Sequence, residues 1–319
     1  MNTHGNATDR SAPAGDRNTA VGVIGLGAMG LGVARTLLAK GFVVHACDVR
    51  EAVLQSIAAE GAHVHRTPAD LGPHVDAVVV LVVNADQTEQ VLFGPQGAAG
   101  TLRPGAVVIA SSTVAPAFAE SLGERLAARG LLHLDAPVSG GAARAASGEM
   151  TVMASGSTAA FDAAAPVLGA IAAKVYRLGD RPGMGSKVKM INQLLAGVHI
   201  AAATEAMALG IRAGIDPDAL YEVISNSAGS SWMFANRVPH ILAGDYTPLS
   251  AVNIFVKDLG IVLDSARALT FPLPLTSAAH QMYLATSASG LGGEDDSAVI
   301  KMFQKLTGIE LPHARARDD

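Results

Sequence analysis

Apolar and polar positions divide the chain into two parts with different patterns. Up to about residue 179, short apolar runs alternate with amphipathic stretches and with turns that contain glycine. Several runs, such as residues 78–83 (VVVLVV), are apolar at every position, which is typical of parallel strands that helices cover on both faces. The pattern therefore predicts an α/β fold with a doubly wound sheet. Its candidate strands are residues 21–24, 42–47, 62–65, 77–83, 106–112, 133–138, 151–155 and 174–178, with helical stretches such as 31–40, 51–60, 116–129 and 159–172 between several of them.

The pattern changes at residues 179–185 (GDRPGMG). Beyond this stretch only helical segments are predicted, and the first of them covers residues 186–213. At 1.5 Å per residue this helix would be roughly 40 Å long. It is apolar on most faces, so we expect it to be buried between domains or between subunits. We therefore expect a first domain at residues 20–183 and an all-α domain at residues 184–319 with a long interdomain helix. Residues 1–19 are polar and lack periodicity, which predicts a disordered leader.

A glycine motif after the first candidate strand predicts a dinucleotide site. In Gly25-Leu26-Gly27-Ala28-Met29-Gly30, the first glycine permits a tight turn, the second lets the backbone approach a pyrophosphate, and the third lets the helix pack closely on the strand. The following helix directs its N-terminal amides at the phosphates. Asp48 ends the second strand, where a carboxylate binds the ribose hydroxyls of NAD and repels the 2′-phosphate of NADP. This order of elements predicts a Rossmann-type NAD-binding domain. Arg50 could serve a phosphate or begin the next helix.

Composition narrows the class of function. The net charge is −5, so we expect no nucleic acid and no anionic membrane as a partner. The longest uninterrupted apolar run, residues 77–83, is much shorter than the roughly 18 residues of a membrane span. The N-terminal segment lacks the apolar core of a signal peptide, so we expect a cytoplasmic protein. Half of the residues are hydrophobic, which together with the long apolar helix predicts a homodimer or homotetramer.

A lysine in the long helix is the candidate proton acceptor of an alcohol oxidation. Lys189 lies in an apolar surrounding, and burial can lower the pKa of a lysine from about 10.4 towards 7–8. Asn192, three positions on, shares its helical face, and Gln193 is a second candidate for orienting the substrate or the ammonium group. The alternative is that Lys189 is a lysine that reaches solvent from the helix end, a role that fits the neighbouring Lys187 better.

Three further segments, together with the glycine motif, resemble the β-hydroxyacid dehydrogenase family, which includes 3-hydroxyisobutyrate dehydrogenase and tartronate semialdehyde reductase. They are residues 135–141 (DAPVSGG), 183–193 (GMGSKVKMINQ) and 255–259 (FVKDL), and the similarity extends over residues 21–306. Within the family, residues 194–215, 230–248 and 294–303 are most similar to enzymes that oxidise L-threonate. The resemblance implies NAD-dependent oxidation of a small polyhydroxy acid, with Lys189 as the general base.

The resemblance also implies substrate-binding residues. From its residues alone, the Ser-Gly-Gly turn at 139–141 is either an anion-binding nest or an ordinary turn from strand to helix. The resemblance implies that Ser139, Gly140 and Gly141 bind the substrate carboxylate. Asn192 and Lys257 would then position the hydroxyl groups, and Gln193 is a further candidate.

Cofactor contacts beyond the glycine motif follow in the same way. Thr113 resembles the family's contact on the nicotinamide side, although it could instead cap the helix that starts at Pro116. Asn84 follows an apolar strand and would lie near the adenine side of the cofactor. Lys257 resembles the family lysine that reaches the cofactor and substrate, and Asp258 would hold it in place.

Two other functions stay open at this stage. One is the oxidation or reduction catalysed by a 3-hydroxyisobutyrate dehydrogenase or a tartronate semialdehyde reductase. The other is a non-catalytic sensor that binds a dinucleotide, although a sensor needs no proton acceptor such as Lys189. No metal is expected, because His63 and His65 share a strand face without an evident third ligand. Residues 294–296 (EDD) are interpreted as the solvated start of a helix.

Overall fold

The computed structural model of the protein describes residues 19–312, so the predicted leader lies, apart from Thr19, outside the described residues. The chain forms two compact units. The first comprises residues 19–112 and 119–185, and the second comprises residues 113–118 and 186–312. A short segment around Thr113 therefore belongs to the second unit although it lies within the sequence of the first.

The first unit is built on a six-stranded parallel sheet in the order β3-β2-β1-β4-β5-β6. The chain reverses its direction of travel across the sheet between β1 and β4, which is where open α/β sheets bind ligands at the carboxyl ends of their strands. This order confirms the predicted Rossmann-type fold. The strands are β1 (Ala20–Ile24), β2 (Val43–Cys47), β3 (His63–His65), β4 (Ala77–Val80), β5 (Val107–Ala110) and β6 (Leu132–Asp135).

Helices cover this sheet and bury its apolar strands. Val23 and Val79 are fully buried, and so are Val33 and Leu37 of the first helix, which places the core between the strands and the helices. Sheets buried in this way require strands that are apolar at every position. The helices of this part are α1 (Ala28–Ala39), α2 (Glu51–Ala59), α3 (Pro68–Leu71), α4 (Ala85–Phe93) and α5 (Pro116–Ala127).

A second, three-stranded sheet extends the first unit. Its strands are β7 (Val138–Ser139), β8 (Met150–Ala154) and β9 (Ala172–Arg177), with α6 (Gly141–Ser147) and α7 (Thr158–Ile171) between them. Strand β7 is antiparallel to β8, whereas β9 is parallel to it. The sequence predicts β8 and β9 but not this separation into a second sheet. An isolated bridge between Asp135 and Ser155 links the end of β6 to the end of β8.

The second unit is helical, and none of its described residues forms a regular strand. Its helices are α8 (Met184–Arg212), α9 (Pro217–Ser225), α10 (Trp232–Ala243), α11 (Val252–Ala268), α12 (Pro274–Thr286) and α13 (Ile300–Thr307). Two apolar clusters hold them together, one around Phe255 and Tyr283 and the other around Phe234 and Met207. Helix α8 is the predicted long helix, and its first two residues end the first unit.

Helix α8 is long and apolar enough to cross a membrane by length and composition alone. The core helix of a globular protein meets the same criterion. Four polar side chains of this helix, those of Ser186, Lys189, Gln193 and Thr204, are buried within the protein. Such an arrangement is typical of a helix whose buried side carries function.

Several predicted strand ends differ from the structure, and one predicted environment is wrong. The predicted strand 77–83 stops at Val80, because the chain leaves the sheet to reach Asn84, which caps α4. The predicted solvated helix start at residues 294–296 is wrong for two of its three residues. Asp295 and Asp296 are fully buried, and Asp296 receives hydrogen bonds from Arg237 Nε and Nη2 at 2.6 and 3.2 Å. A buried arginine of α10 therefore neutralises charge that the sequence pattern assigns to the surface.

Candidate active site

The three glycines of the dinucleotide motif occupy three different environments. Gly25 has a φ of +89°, and a β-carbon there would lie 2.7 Å from the carbonyl oxygen of Leu81. A β-carbon at Gly30 would lie 1.8 Å from the carbonyl oxygen of Gly25, so the helix packs on the turn more closely than any side chain permits. At Gly27 a β-carbon would meet no atom within 4 Å. The space in front of Gly27 therefore fits a ligand that approaches the backbone, as a pyrophosphate does.

Helix α1 begins at this open side. Gly27 is its N-cap, and no side chain caps its first turn. The first amide groups of a helix have no partner within the helix, so they can bind an anion. The motif therefore fits the phosphates of NAD in both shape and hydrogen-bonding character.

Asp48 at the end of β2 is tied to the glycine turn itself. Its Oδ2 accepts a hydrogen bond from the Leu26 backbone N–H at 2.6 Å, and its Oδ1 accepts bonds from the backbone N–H and Nε of Arg50, both at 2.9 Å. Burial acts to raise the pKa of Asp48, but the bonds from Arg50 and Leu26 outweigh it and lower that pKa below its ordinary value. Asp48 is therefore a fixed carboxylate beside the turn.

Arg50 begins the next helix, which is one of the two alternatives that the sequence left open, and it also pairs with Asp48. Its guanidinium pairs with Asp48, with Nη2 at 3.1 Å from Oδ2, while its backbone caps the start of α2. Arg50 neutralises part of the charge that would repel a 2′-phosphate. The charge that a 2′-phosphate would meet at this position is therefore that of the pair and not that of Asp48 alone.

Ser111 and Ser112 directly follow β5 at the same edge of the sheet, and neither is among the predicted site residues. Ser111 and Ser112 are buried, and no described residue makes a hydrogen bond with either hydroxyl. Buried hydroxyls without a protein partner are costly, so these positions fit a polar ligand at the carboxyl ends of the strands. Their place directly after an apolar strand was the available signal.

Asn84 makes local contacts within the first unit. Its Oδ1 accepts a hydrogen bond from the Gln87 backbone N–H at 2.8 Å, and the Gln87 side chain accepts one from Val83 N–H at 2.9 Å. Asn84 thus fixes the loop that follows β4 as a helix cap. Asn84 itself is half-buried.

The Ser-Gly-Gly turn connects β7 to α6. Gly140 and Gly141 both have positive φ values, +131° and +71°, a conformation that other residues rarely adopt. A β-carbon at Gly140 would lie 2.8 Å from Arg144 Cβ, whereas one at Gly141 would meet nothing within 4 Å. The turn therefore exposes backbone beside Ser139. Arg144, which the sequence analysis missed, adds a cationic side chain packed over Gly140.

The loop before α8 is anchored by residues of the first unit. The Gly183 backbone N–H donates to Asp135 Oδ2 at 2.9 Å, and the Gly185 backbone N–H donates to Ser155 Oγ at 2.9 Å. A β-carbon at Gly185 would lie 2.3 Å from the Met153 carbonyl oxygen. These contacts fix where α8 begins, and they explain an aspartate at the start of the DAPVSGG segment.

Lys189 is buried in the second unit. Its residue surface is 6% exposed, whereas Lys187 of the same helix is exposed. Burial lowers the pKa of Lys189 to about 8; Asp258 raises this pKa and Lys257 lowers it. The neutral amine that a proton acceptor requires is therefore accessible near neutral pH.

Side chains from α8 and α11 meet around this lysine. Asp258 Oδ1 lies 2.5 Å from Lys257 Nζ, and Asp258 Oδ2 accepts a hydrogen bond from Gln193 Nε2 at 2.5 Å. Asn192 Nδ2 in turn donates to Gln193 Oε1 at 2.9 Å. Lys257 Nζ also donates to the carbonyl oxygen of Thr113 at 3.1 Å. The structure therefore joins most of the residues predicted from the second half of the chain into one network.

Four histidines form a separate stack in the first unit. The ring of His45 stacks with those of His63, His65 and His74, at centroid distances of 4.9, 5.1 and 5.3 Å. Only His63 and His65 were considered as metal ligands from the sequence. Within residues 19–312 no group of histidine, cysteine or acidic residues has an arrangement suited to a metal ion.

Comparisons with known proteins decide the family. A model described as the NAD binding domain of 6-phosphogluconate dehydrogenase matches residues 20–179, and one described as the NAD-binding domain of NADP-dependent 3-hydroxyisobutyrate dehydrogenase matches residues 183–303. An L-threonate dehydrogenase of Cupriavidus necator is 68% identical over 292 residues, which are 92% of this chain and 97% of that protein. The chain belongs to the β-hydroxyacid dehydrogenase family. The predicted family, fold and class of reaction, an oxidoreductase that acts on a CH–OH group with a nicotinamide dinucleotide, are confirmed.

Other members of the β-hydroxyacid dehydrogenase family are similar over most of their length. An L-threonate dehydrogenase of Escherichia coli K12 is 54% identical, with 93% of this chain and 97% of that protein covered. The mitochondrial 3-hydroxyisobutyrate dehydrogenase of Rattus norvegicus is 32% identical, with 90% and 88% covered. A crystal structure from Salmonella typhimurium titled 3-hydroxyisobutyrate dehydrogenase is 54% identical with a TM-score of 0.85, covering 89% of this chain and 99% of that one.

Proposed function

We propose that this enzyme oxidises L-threonate with NAD to the corresponding 2-oxo acid, 2-oxo-tetronate. The substrate is supported by relatives named L-threonate dehydrogenase that are 68% and 54% identical to the chain over 97% of their length. The observation that carries the reaction type is the buried Lys189, whose pKa is lowered to about 8 mainly by burial. A buried amine of this kind takes up a hydroxyl proton without a metal ligand set.

Lys189 accepts the proton of the reacting hydroxyl as that carbon is oxidised. Hydride acceptance is the chemistry that the nicotinamide ring of a bound NAD would supply. Asn192 binds the substrate through its side-chain amide. This assignment is supported by its position three residues after Lys189 on the same helix. Lys257 and Thr113 are assigned to binding of the cofactor and substrate, and the hydrogen bond of 3.1 Å from Lys257 Nζ to the Thr113 carbonyl oxygen supports a joint role.

The substrate carboxylate binds at Ser139, Gly140 and Gly141. The two positive φ values and the open space at Gly141 support a turn that offers backbone amides to an anion. Arg144 packs over Gly140 and adds positive charge. An acid with a carboxylate fits such a turn better than a neutral alcohol does.

The cofactor is NAD rather than NADP. Residues 25–30 hold its pyrophosphate, Asp48 its ribose hydroxyls, and Asn84 lies toward its adenine side. The fixed carboxylate of Asp48 supports this preference, since a 2′-phosphate beside it would be repelled. The pairing of Arg50 with Asp48 reduces that repulsion, so we expect NADP to be used poorly rather than not at all.

The location and assembly complete the proposal. We expect a cytoplasmic homodimer or homotetramer. Oligomerisation is supported by apolar side chains of α8 that remain exposed at helical spacing, namely Val188, Ile191 and Leu195, which are 38%, 51% and 49% exposed. Light scattering of the purified protein gives the number of subunits.

A substrate panel tests the proposed reaction. Purified enzyme is assayed for NADH formation with L-threonate, D-threonate, 3-hydroxyisobutyrate and glycerate, and each kcat/KM is also measured with NADP. The proposal expects L-threonate with NAD to give the highest value. The solved relative titled 3-hydroxyisobutyrate dehydrogenase supplies the second candidate. A higher kcat/KM for 3-hydroxyisobutyrate than for L-threonate would favour that activity instead.

A further inference from the structure

We propose that Gln193 is a positioning residue and not a substrate ligand. It fixes the side-chain amide of Asn192 so that Asn192 presents its Oδ1 to a substrate hydroxyl other than the one that Lys189 deprotonates. This inference rests on the proposed function, because it concerns a substrate with more than one hydroxyl group. Gln193 would thereby contribute to the choice of polyhydroxy acids over simpler hydroxy acids.

The direction of each hydrogen bond follows from the buried carboxylate of Asp258. Asp258 is 2% exposed, and its Oδ1 forms an ion pair with Lys257 Nζ at 2.5 Å, so its side chain is a carboxylate paired with a cation. An ionised carboxylate can only accept hydrogen bonds. Gln193 must therefore turn its NH₂ group, and not its oxygen, toward Asp258 Oδ2, with which it makes a contact of 2.5 Å.

This orientation of Gln193 determines the orientation of Asn192. With Nε2 committed to Asp258, Gln193 Oε1 accepts a hydrogen bond from Asn192 Nδ2 at 2.9 Å. The opposite orientation of Asn192 would place two carbonyl oxygens against each other. Gln193 itself is 8% exposed and has both ends of its amide engaged, so it has little capacity left for a substrate.

Asn192 Oδ1 is the last acceptor in this series of hydrogen bonds. No described residue donates a hydrogen bond to it, and Asn192 is only half-buried. An oxygen acceptor matches the O–H of a sugar acid. The reacting hydroxyl directs its own proton at the neutral amine of Lys189, so the acceptor on Asn192 serves a second hydroxyl group.

Replacement of Gln193 can be separated from an effect on Lys189. Gln193 is uncharged, whereas Asp258 and Lys257 are the groups whose charges act on the pKa of Lys189. Gln193→Met removes both hydrogen bonds with little change in side-chain length. The acid limb of the pH profile should then stay in place while substrate selection changes.

The experiment compares L-threonate with its 3-deoxy and 4-deoxy analogues on the alkaline plateau of the pH profile. In Gln193→Met, kcat/KM for L-threonate should fall about tenfold, the effect of about one hydrogen bond, and most of the change should be in KM. The analogue that lacks the hydroxyl bound by Asn192 should show no further loss. Equal losses with all three acids, no loss with L-threonate, or a displaced acid limb would each overturn the proposal.

Two more variants keep the test sharp. In Asp258→Asn the side-chain amide of Gln193 can flip, so this variant should reduce the same substrate selectivity although Gln193 itself is unchanged. In a Gln193→Met background, Asp258→Asn should reduce the selectivity no further. It should also move the acid limb to lower pH in both backgrounds, because Asp258 raises the pKa of Lys189. Selectivity losses that add fully in the double variant would show that the two residues act separately. Gln281→Met, an exposed glutamine of α12, is the matched control.

Failure of the proposed function would be recognised independently. An unmodified enzyme that is inactive on L-threonate contradicts the proposed substrate. The Gln193 comparison is then repeated with the hydroxy acid that the enzyme does oxidise and with the analogue that lacks its second hydroxyl. Loss of selectivity there supports the role of Gln193, and its absence overturns that role.

Discussion

The pH dependence of alcohol oxidation should follow the titration of Lys189. A lysine with the ordinary pKa of 10.5 would be neutral in only about one molecule in 300 at pH 8, whereas with a pKa of about 8 it is neutral in about half. Burial of the amine thus raises the reactive fraction by a factor of about 150 at that pH. The same pKa shift means that burial destabilises the charged form of the amine by about 3 kcal/mol, since one pKa unit corresponds to about 1.4 kcal/mol.

The initial rate of NADH formation at saturating NAD gives kcat/KM for the hydroxy acid as a function of pH. We expect kcat/KM to rise with pH to a plateau, with a midpoint near pH 8, and to fall by about tenfold for each pH unit below it. The value of kcat/KM rises with pH because only the neutral form of the amine can accept a proton. Lys189→Met should lower kcat by at least about 100-fold and remove the acid limb, while NAD still binds.

Lys187→Met is the matched control, because Lys187 lies on the same helix but is exposed. It should leave both kcat and the midpoint of the limb near those of the unmodified enzyme. A Lys189→Met enzyme with nearly unchanged turnover would refute the assignment of the base. The same conclusion would follow from an acid limb that persists in that variant.

Three further predictions concern the cofactor site and stability. Gly30→Ala should lower Tm, because its β-carbon would lie 1.8 Å from a backbone oxygen. Gly27→Val should leave Tm near its original value and weaken NAD binding as measured by calorimetry. The same loss of Tm in both variants would contradict the two roles. Asp48→Ala should raise the ratio of kcat/KM with NADP to that with NAD, and equal use of both cofactors by the unmodified enzyme would refute this reasoning. His133 is buried without a hydrogen-bond partner among the described side chains and burial lowers its pKa to about 4, so the folded state binds fewer protons than the unfolded state between about pH 4 and 6.5. The free energy of unfolding, measured with urea, should therefore fall as the pH drops through this range, by up to about 3 kcal/mol for this group, and His133→Leu should make the fall smaller; an unchanged pH dependence in that variant would exclude His133 as a cause.

Much of the first unit could be predicted because its signals are local. Strands that are apolar at every position and glycines at fixed spacing act through the backbone and side chain of the residue itself. The different surroundings of Gly25, Gly27 and Gly30 match the separate roles that their spacing predicts. The end of β4 was less predictable, since Asn84 takes the chain out of the sheet to cap α4.

The candidate site was predicted residue by residue, but its connections were not. Lys189 and Asn192 follow from helix periodicity and the resemblance to a family. The bond from Gln193 to Asp258 joins residues 65 positions apart, and no local pattern indicates that both ends of the Gln193 amide are used within the protein. The proposal that Gln193 positions Asn192 therefore rests on contacts that only the tertiary structure shows.

The class of fold, the dinucleotide motif and a lysine suited to proton transfer could be predicted from the amino-acid sequence, because these depend on local conformation and on helix or strand periodicity. The pairing and burial of charges could not be predicted and became visible with the three-dimensional structure. Asp296 accepts a hydrogen bond from Arg237, which lies 59 residues away in the sequence, and Arg50 pairs with Asp48 beside the glycine turn. The cost of burying a charge depends on partners that the fold brings close, so an acidic run that is typical of a surface can end in the core.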